Sequence, residues 1–292
     1  MLALDAGNDA MQRALDGKKL PSLPLVVQKL IAAVNAPNTE MRQLASLIEQ
    51  DAGLAARILR LANSPFYGLS GEVGSIQQAV VVLGFHAIAQ LAASVGLMQA
   101  IKVEACARFE LQQFWRMSLR VALGARWLAQ RADLNAEHAY LGGLLHDIGL
   151  PLMAGCFPTV MDKLLGEHAQ TSTDLLALEQ AELGFDHLQL GVKLARNWNV
   201  PTEIITGLTQ YRTLPAGTDP LLSDTLHIAW QAALHTEHDD GEAQLQASVD
   251  SRVVTRLAFD NAAATQLLAE LERRAPEIDA LISTASGAGA AK

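Results

Sequence analysis

Leu144-Leu145-His146-Asp147-Ile148-Gly149 is the stretch on which the fold of this chain turns. The stretch from Leu134 to Leu145 suits a helix, two adjacent ionisable side chains follow, and Gly149 with Pro151 breaks the helix just beyond them. An imidazole and a carboxylate side by side at a helix end can give one divalent ion a nitrogen and an oxygen. That donor pair suits Fe, Mn or Zn, and Mg through the oxygen. Two ligands do not make a site, because a hydrolytic centre also needs further protein ligands and an open position where bound water loses a proton. Taken alone, such a pair is more often a hydrogen-bonded structural element than a metal centre.

Outward from this stretch the chain reads as helix after helix. Half of the 292 residues are hydrophobic and only 5% aromatic, with Ala and Leu dominant, a balance that predicts an all-α protein with few or no strands. The length suffices for two packed helical subdomains. Upstream, Leu111 to Arg131 predicts a long, central, mostly buried helix on which Arg116, Arg120 and Arg131 fall within about 60° of one another, as a solvated or salt-bridged stripe. Downstream, helices are expected near 158–168, 173–182, 187–198, 202–211 and 221–235.

Nearer the N-terminus, residues 1–19 read as an amphipathic lead-in, and Leu20-Pro-Ser-Leu-Pro24 as an extended entry to residues 20–107, the first helical part. There Leu25, Val26, Leu30, Ile31 and Val34 mark one helix and Leu44, Leu47 and Ile48 a second; Asp51 caps a third that Asn63-Ser-Pro65 ends. Ser75-Ile-Gln-Gln78 has the capping-box pattern and outweighs the strand-like Val80-Val-Val82 behind it. Residues 108–235 form the second helical part. Beyond it, 236–282 is expected to hold an acidic loop (His235 to Glu242) and one or two helices within 249–272, and 283–292 a disordered tail of small residues.

Twenty-two basic against thirty-one acidic residues leave a net charge of -9, which disfavours nucleic acid as a partner. Cys106 and Cys156 lie in no metal-like spacing and suit a reducing compartment, where both simply pack. The opening Met1 to Asp9 lacks a basic and apolar leader, and this predicts a cytoplasmic protein. Ser75 to Ile101 carries no Asp, Glu, Lys or Arg and is long enough to span a bilayer, but Gln77, Gln78, His86, Gln90, Ser94 and Gln99 recur through it, so buried helices and no membrane contact are expected. His235, His238, Asp239 and Asp240 could gather an ion, yet in an acidic surface loop such groups stay solvated. No nucleophile elbow, phosphate-binding glycine loop or dinucleotide fingerprint occurs.

Leu144 to Gly149 resembles the signature of the HD superfamily of metal-dependent phosphohydrolases, and its surroundings narrow the likeness to the HDOD branch. Leu20-Pro-Ser-Leu-Pro24, Ile48-Glu-Gln-Asp51, Leu54-Ala-Ala-Arg-Ile-Leu-Arg-Leu-Ala-Asn-Ser64, Ser75-Ile-Gln-Gln-Ala79 and Leu83-Gly84 are similar to the first part of that branch. Phe114-Trp-Arg-Met-Ser118, Gly184-Phe-Asp-His187 through Gly191 and Trp198-Asn-Val-Pro201 carry the likeness through the second. The resemblance implies an HD-like helical core in the C-terminal part and, in active enzymes, a metal held by an earlier histidine, the His-Asp pair and a later aspartate.

The pair matches His146 and Asp147, but Met117 stands at the earlier position and Trp230 at the later one. A thioether is a poor ligand for the hard ions such hydrolases use. Relatives that cleave cyclic dinucleotides carry further histidines and a lysine after the glycine. Here His187 matches one such histidine, whereas Leu150 replaces the lysine, Gln210-Tyr211 stand where a histidine pair is expected, and no Gly-Tyr-Pro follows. The resemblance therefore implies no catalytic residue, a vestigial site of His146, Asp147 and His187, and at most weak divalent-metal binding at His146 and Asp147, with no cofactor. It points to a non-enzymatic bacterial signal-transduction module that binds a regulatory protein. The alternatives are a metal-dependent phosphohydrolase acting on nucleotides, and a binder of cyclic nucleotides or small anions without turnover.

Overall fold

In a computed structural model of the chain, residues 10–16, 25, 27–29, 41–69, 71–217, 221–236 and 240–286 are described. Among these there is no strand, so the chain is all-α as its composition requires. The proline-cornered entry at 20–24 and most of the helix expected from Leu25 to Val34 lie outside the described residues. Within the lead-in, residues 10–15 are helical, with Met11 and Leu15 buried.

The first part is built from α1 (Met41–Glu49), α2 (Ala52–Ala62), α3 (Ile76–Leu83) and α4 (Phe85–Ala100). Asp51 caps α2 by accepting from the Leu54 amide at 3.0 Å. Ser75 caps α3 in the same way, accepting from Gln78 at 3.1 Å, but the return half of the expected capping box differs: the Gln78 side chain accepts from Gly74 (3.0 Å), one residue further upstream. The valine run is helical because its burial follows the helical period, with Val80 in the core and Val81 and Val82 in solvent.

The central element is α5 (Leu111–Arg131), against which α6 (Ala136–Leu145) packs closely. The two backbones nearly touch: a β-carbon on Gly143 would come within 2.5 Å of the Ala122 α-carbon, a distance only glycine permits. Then follow α7 (Gly149–Cys156), α8 (Pro158–Thr171), α9 (Leu175–Leu183), α10 (His187–Asn197), α11 (Thr202–Gln210) and α12 (Leu222–His235), the last again packed on α5. The expected arginine stripe is salt-bridged in part: Arg116 pairs with Asp279, and Arg131 lies 4.6 Å above the Trp127 ring.

The C-terminal region is more ordered than its composition suggests. Helix α13 (Gly241–Ser248) already begins inside the expected acidic loop; α14 (Ser251–Arg256), α15 (Asn261–Arg273) and α16 (Ala275–Ala285) complete the chain. Residues 283–285, expected to begin the tail, belong to α16, because Ile278, Leu281 and Ile282 recur at helical spacing and bury against α2, α4 and α5. Arg57 on α2 donates to the Thr284 carbonyl at 3.3 Å, and Tyr67 donates to Glu277 at 3.2 Å. Residues 287–292 lie outside the described residues, as do His238 and Asp239 of the proposed His-Asp cluster.

One buried ion pair ties the C-terminal helices to α12. The Arg256 guanidinium grips the Asp224 carboxylate with two nitrogens, Nε at 2.7 Å from Oδ2, and Asp224 accepts from the Leu221 amide as well. Removing one partner strands the other charge in the interior. Asp224→Ala should therefore lower the unfolding free energy by about 3 kcal/mol in urea titrations, whereas a surface pair would cost under about 1 kcal/mol.

Candidate functional site

His146 and Asp147 occupy the turn between α6 and α7. The imidazole is aimed by its own helix: Nδ1 donates to the Gly143 carbonyl at 2.8 Å, which leaves Nε2 facing Asp147 Oδ2 at 3.3 Å. His187 opens α10, where Asp186 and Gln189 form a reciprocal capping box. Its orientation comes from Glu179 on α9, a fully buried carboxylate that accepts from both the His187 backbone amide (2.9 Å) and Nδ1 (2.7 Å). His187 Nε2 then faces Asp147 Oδ1 at 3.7 Å.

The two elements meet because of Gly149. A β-carbon there would sit 1.8 Å from the His187 carbonyl oxygen and 2.7 Å from the Gly191 nitrogen, so any other residue would push α10 away from the His-Asp turn. The glycine of the motif is a packing requirement of this site.

A third element closes it. Tyr211, fully buried at the end of α11, donates its hydroxyl to Asp147 Oδ1 at 2.6 Å. Arg212 Nε donates to that same hydroxyl at 3.2 Å, and Nη2 lies 4.0 Å from Asp147 Oδ2. The guanidinium rests 4.0 Å above the Trp230 ring, which in turn stands edge-on to Tyr211. Asp147 is thus approached by two imidazoles, a phenol and a guanidinium.

These contacts set the protonation states. Burial works to raise the Asp147 pKa, but His146 and His187, through charge and hydrogen bonding, together hold it well below the usual carboxylate range. Burial alone would lower His187; Asp147 and Glu179 outweigh it and lift the imidazole to about 9. Tyr211 is pushed far up by burial and then by the Asp147 charge, so it remains a neutral donor. Arg212 loses some basicity to burial and regains more from Tyr211 and Asp147.

The structure brings His146, Asp147 and His187 together. Trp230 stands at the edge of the group, under Arg212. Met117 and Leu150 are half-buried against the core. Glu179, Arg212 and the donor role of Tyr211 were not anticipated; the adjacency of Arg212 to Tyr211 is the one sequence signal that could have pointed to them. Cys106 and Cys156 are both thiols, and Cys106 donates to Asp162 at 3.3 Å.

The resemblance implies a metal, and the buried Nε2 atoms of His146 and His187, neither meeting an aligned partner, are the observation in its favour. The rest of the donor set opposes it. An ion at Asp147 would have to displace the Tyr211 hydroxyl and lie beside the Arg212 guanidinium. As arranged, these residues do not fit a divalent ion.

The sequence pattern of the HDOD domain matches residues 20–213. An uncharacterised protein of Treponema pallidum is 27% identical over 209 residues, 70% of this chain, and this chain spans only about 40% of that curated relative's length. Among solved structures, a candidate phosphohydrolase of Shewanella amazonensis is 27% identical, with a TM-score of 0.75 over 94% of this chain and 98% of its own. A candidate signal-transduction protein of Marinobacter aquaeolei shares the fold at 24% identity, with a TM-score of 0.78 over 97% of this chain and 66% of its own.

The proton on His187 links this site to stability. Its folded pKa of about 9 lies above the ordinary 6.5, so the stabilisation is complete below pH 6.5 and is lost as pH rises through about 9. The amount is on the order of 3 kcal/mol. Urea unfolding followed from pH 6.5 to beyond 9 should show this decline in the wild type and a flatter profile in His187→Gln; parallel profiles would contradict the assignment.

Proposed function

The chain belongs to the HDOD domain family, and from that premise we propose that it is a bacterial, cytoplasmic signalling module without hydrolytic turnover, acting by binding a regulatory protein. The observation that carries this proposal is the state of Asp147. In a metal-dependent hydrolase this carboxylate would hold an ion whose bound water attacks the substrate. Here one oxygen already accepts from Tyr211 at 2.6 Å and the other faces His146 and Arg212. A divalent ion there would have to break the Tyr211 hydrogen bond and sit against the positive charge of Arg212.

With turnover set aside, the helical faces remain. Packed helices offer grooves suited to a partner's helix or extended segment. Among the described residues no helix is long and apolar enough to cross a membrane. The signal-transduction name of the Marinobacter protein is in keeping with this reading, although its 24% identity speaks for the fold alone.

A second reading, a phosphohydrolase acting on nucleotides, draws on the Shewanella protein's name and on the two buried Nε2 atoms turned toward Asp147. A third, capture of a small anion or cyclic nucleotide without turnover, draws on Arg212, whose side chain is one-quarter exposed (26%). Two assays together separate them. The purified full chain, incubated with Mn²⁺ and a panel of nucleoside phosphates and cyclic nucleotides, should release no more phosphate or opened product than His146→Ala. Calorimetry with the same panel should be silent. Release that disappears in His146→Ala would establish the second reading, and heat of binding without release the third.

A further inference from the structure

We propose that Tyr211 and Arg212 are the built-in occupant of the centre, a donor and a cation from the protein itself that do at Asp147 what a divalent ion would do. The inference rests on the non-hydrolytic reading above and says how it is enforced. A metal in such a place neutralises the carboxylate and holds the surrounding helices together. Both tasks are visibly met from the turn after α11. The phenol gives Asp147 a hydrogen bond of 2.6 Å from a fully buried ring, and the guanidinium 4.0 Å away supplies positive charge.

The position of Arg212 is specific. Its guanidinium carbon lies over the Trp230 ring at 4.0 Å while Nε bonds to the Tyr211 hydroxyl, so one planar cation serves an aromatic face and a hydroxyl at once. An aspartate in place of Trp230 would offer that cation no ring to lie on.

The turn is also held from behind. The Tyr211 carbonyl accepts from His227 at 3.0 Å. Arg252 donates to the Leu214 carbonyl, and Arg256 to the carbonyls of Pro215 and Gly217. Both arginines lie beyond residue 213, where the HDOD match ends. The C-terminal helices thus brace the backbone of the segment that fills the centre.

Ion rescue tests this. Thermal unfolding of the full chain is followed with and without Mn²⁺ at matched ionic strength, in the wild type and in the double variant Tyr211→Phe with Arg212→Ala, which keeps the buried ring but removes both the hydroxyl and the cation; its folding is checked by circular dichroism. The wild type should ignore Mn²⁺. The double variant should melt roughly 3 to 6 °C lower and recover much of that loss with Mn²⁺, and adding Asp147→Asn to it should abolish the recovery. A wild type raised by Mn²⁺ as much as the variant would show the centre open to ions, and if phosphate release accompanied it the non-hydrolytic reading would fall too. A double variant that folds but is not rescued would overturn this inference alone. Should it fail to fold, Tyr211→Phe with Arg212→Gln, which keeps more of the side-chain packing, is read in the same way.

Discussion

The close passage of two backbone segments at Gly149 is the constraint on which the rest of this site depends. With the glycine α-carbon lying against the His187 carbonyl, α10 is drawn onto the His-Asp turn, and His187 reaches Asp147. Once there it cannot be a bare base in the interior: Glu179 must accept from Nδ1 and from the backbone amide, which is why a fully buried acid sits on α9. Asp147 in turn gathers hydrogen-bond donors. A low-dielectric interior makes each unpaired charge costly, so two buried acids call for the imidazoles, the phenol and the guanidinium found around them.

The all-α class was legible from composition, and the caps at Asp51 and Ser75 from local chemistry, because both depend on residues within a few positions of each other. The meeting of His146, Asp147 and His187 was legible only through the motifs and their order, since forty residues separate the pair from its partner histidine. What stayed hidden depends on tertiary neighbours. The segment Leu175–Leu183 carries two glutamates; Glu182 pairs with Lys163 at the surface while Glu179 is buried under His187, and nothing local distinguishes them. Residues 283–285 look like a tail because they are small, yet they continue a helix whose Ile278, Leu281 and Ile282 find a surface on the first part of the chain.

The substitutions around the His-Asp pair also gain a common sense when taken together. Read singly, Trp230 and Tyr211 are lost ligands. In space they are two walls of one arrangement, with Arg212 between them and Asp147 as the group it serves. The brace from Arg252 and Arg256 extends this to the helices after α12, so the centre has become a joint between the HDOD region and the C-terminal elements.

Elemental analysis is the most direct measurement of the central claim that Asp147 is neutralised by the protein's own side chains. The full chain, expressed in metal-replete medium and purified without chelator, should carry Mn, Fe, Zn and Mg far below one ion per chain. A stoichiometric ion that is lost on Asp147→Asn would contradict the account.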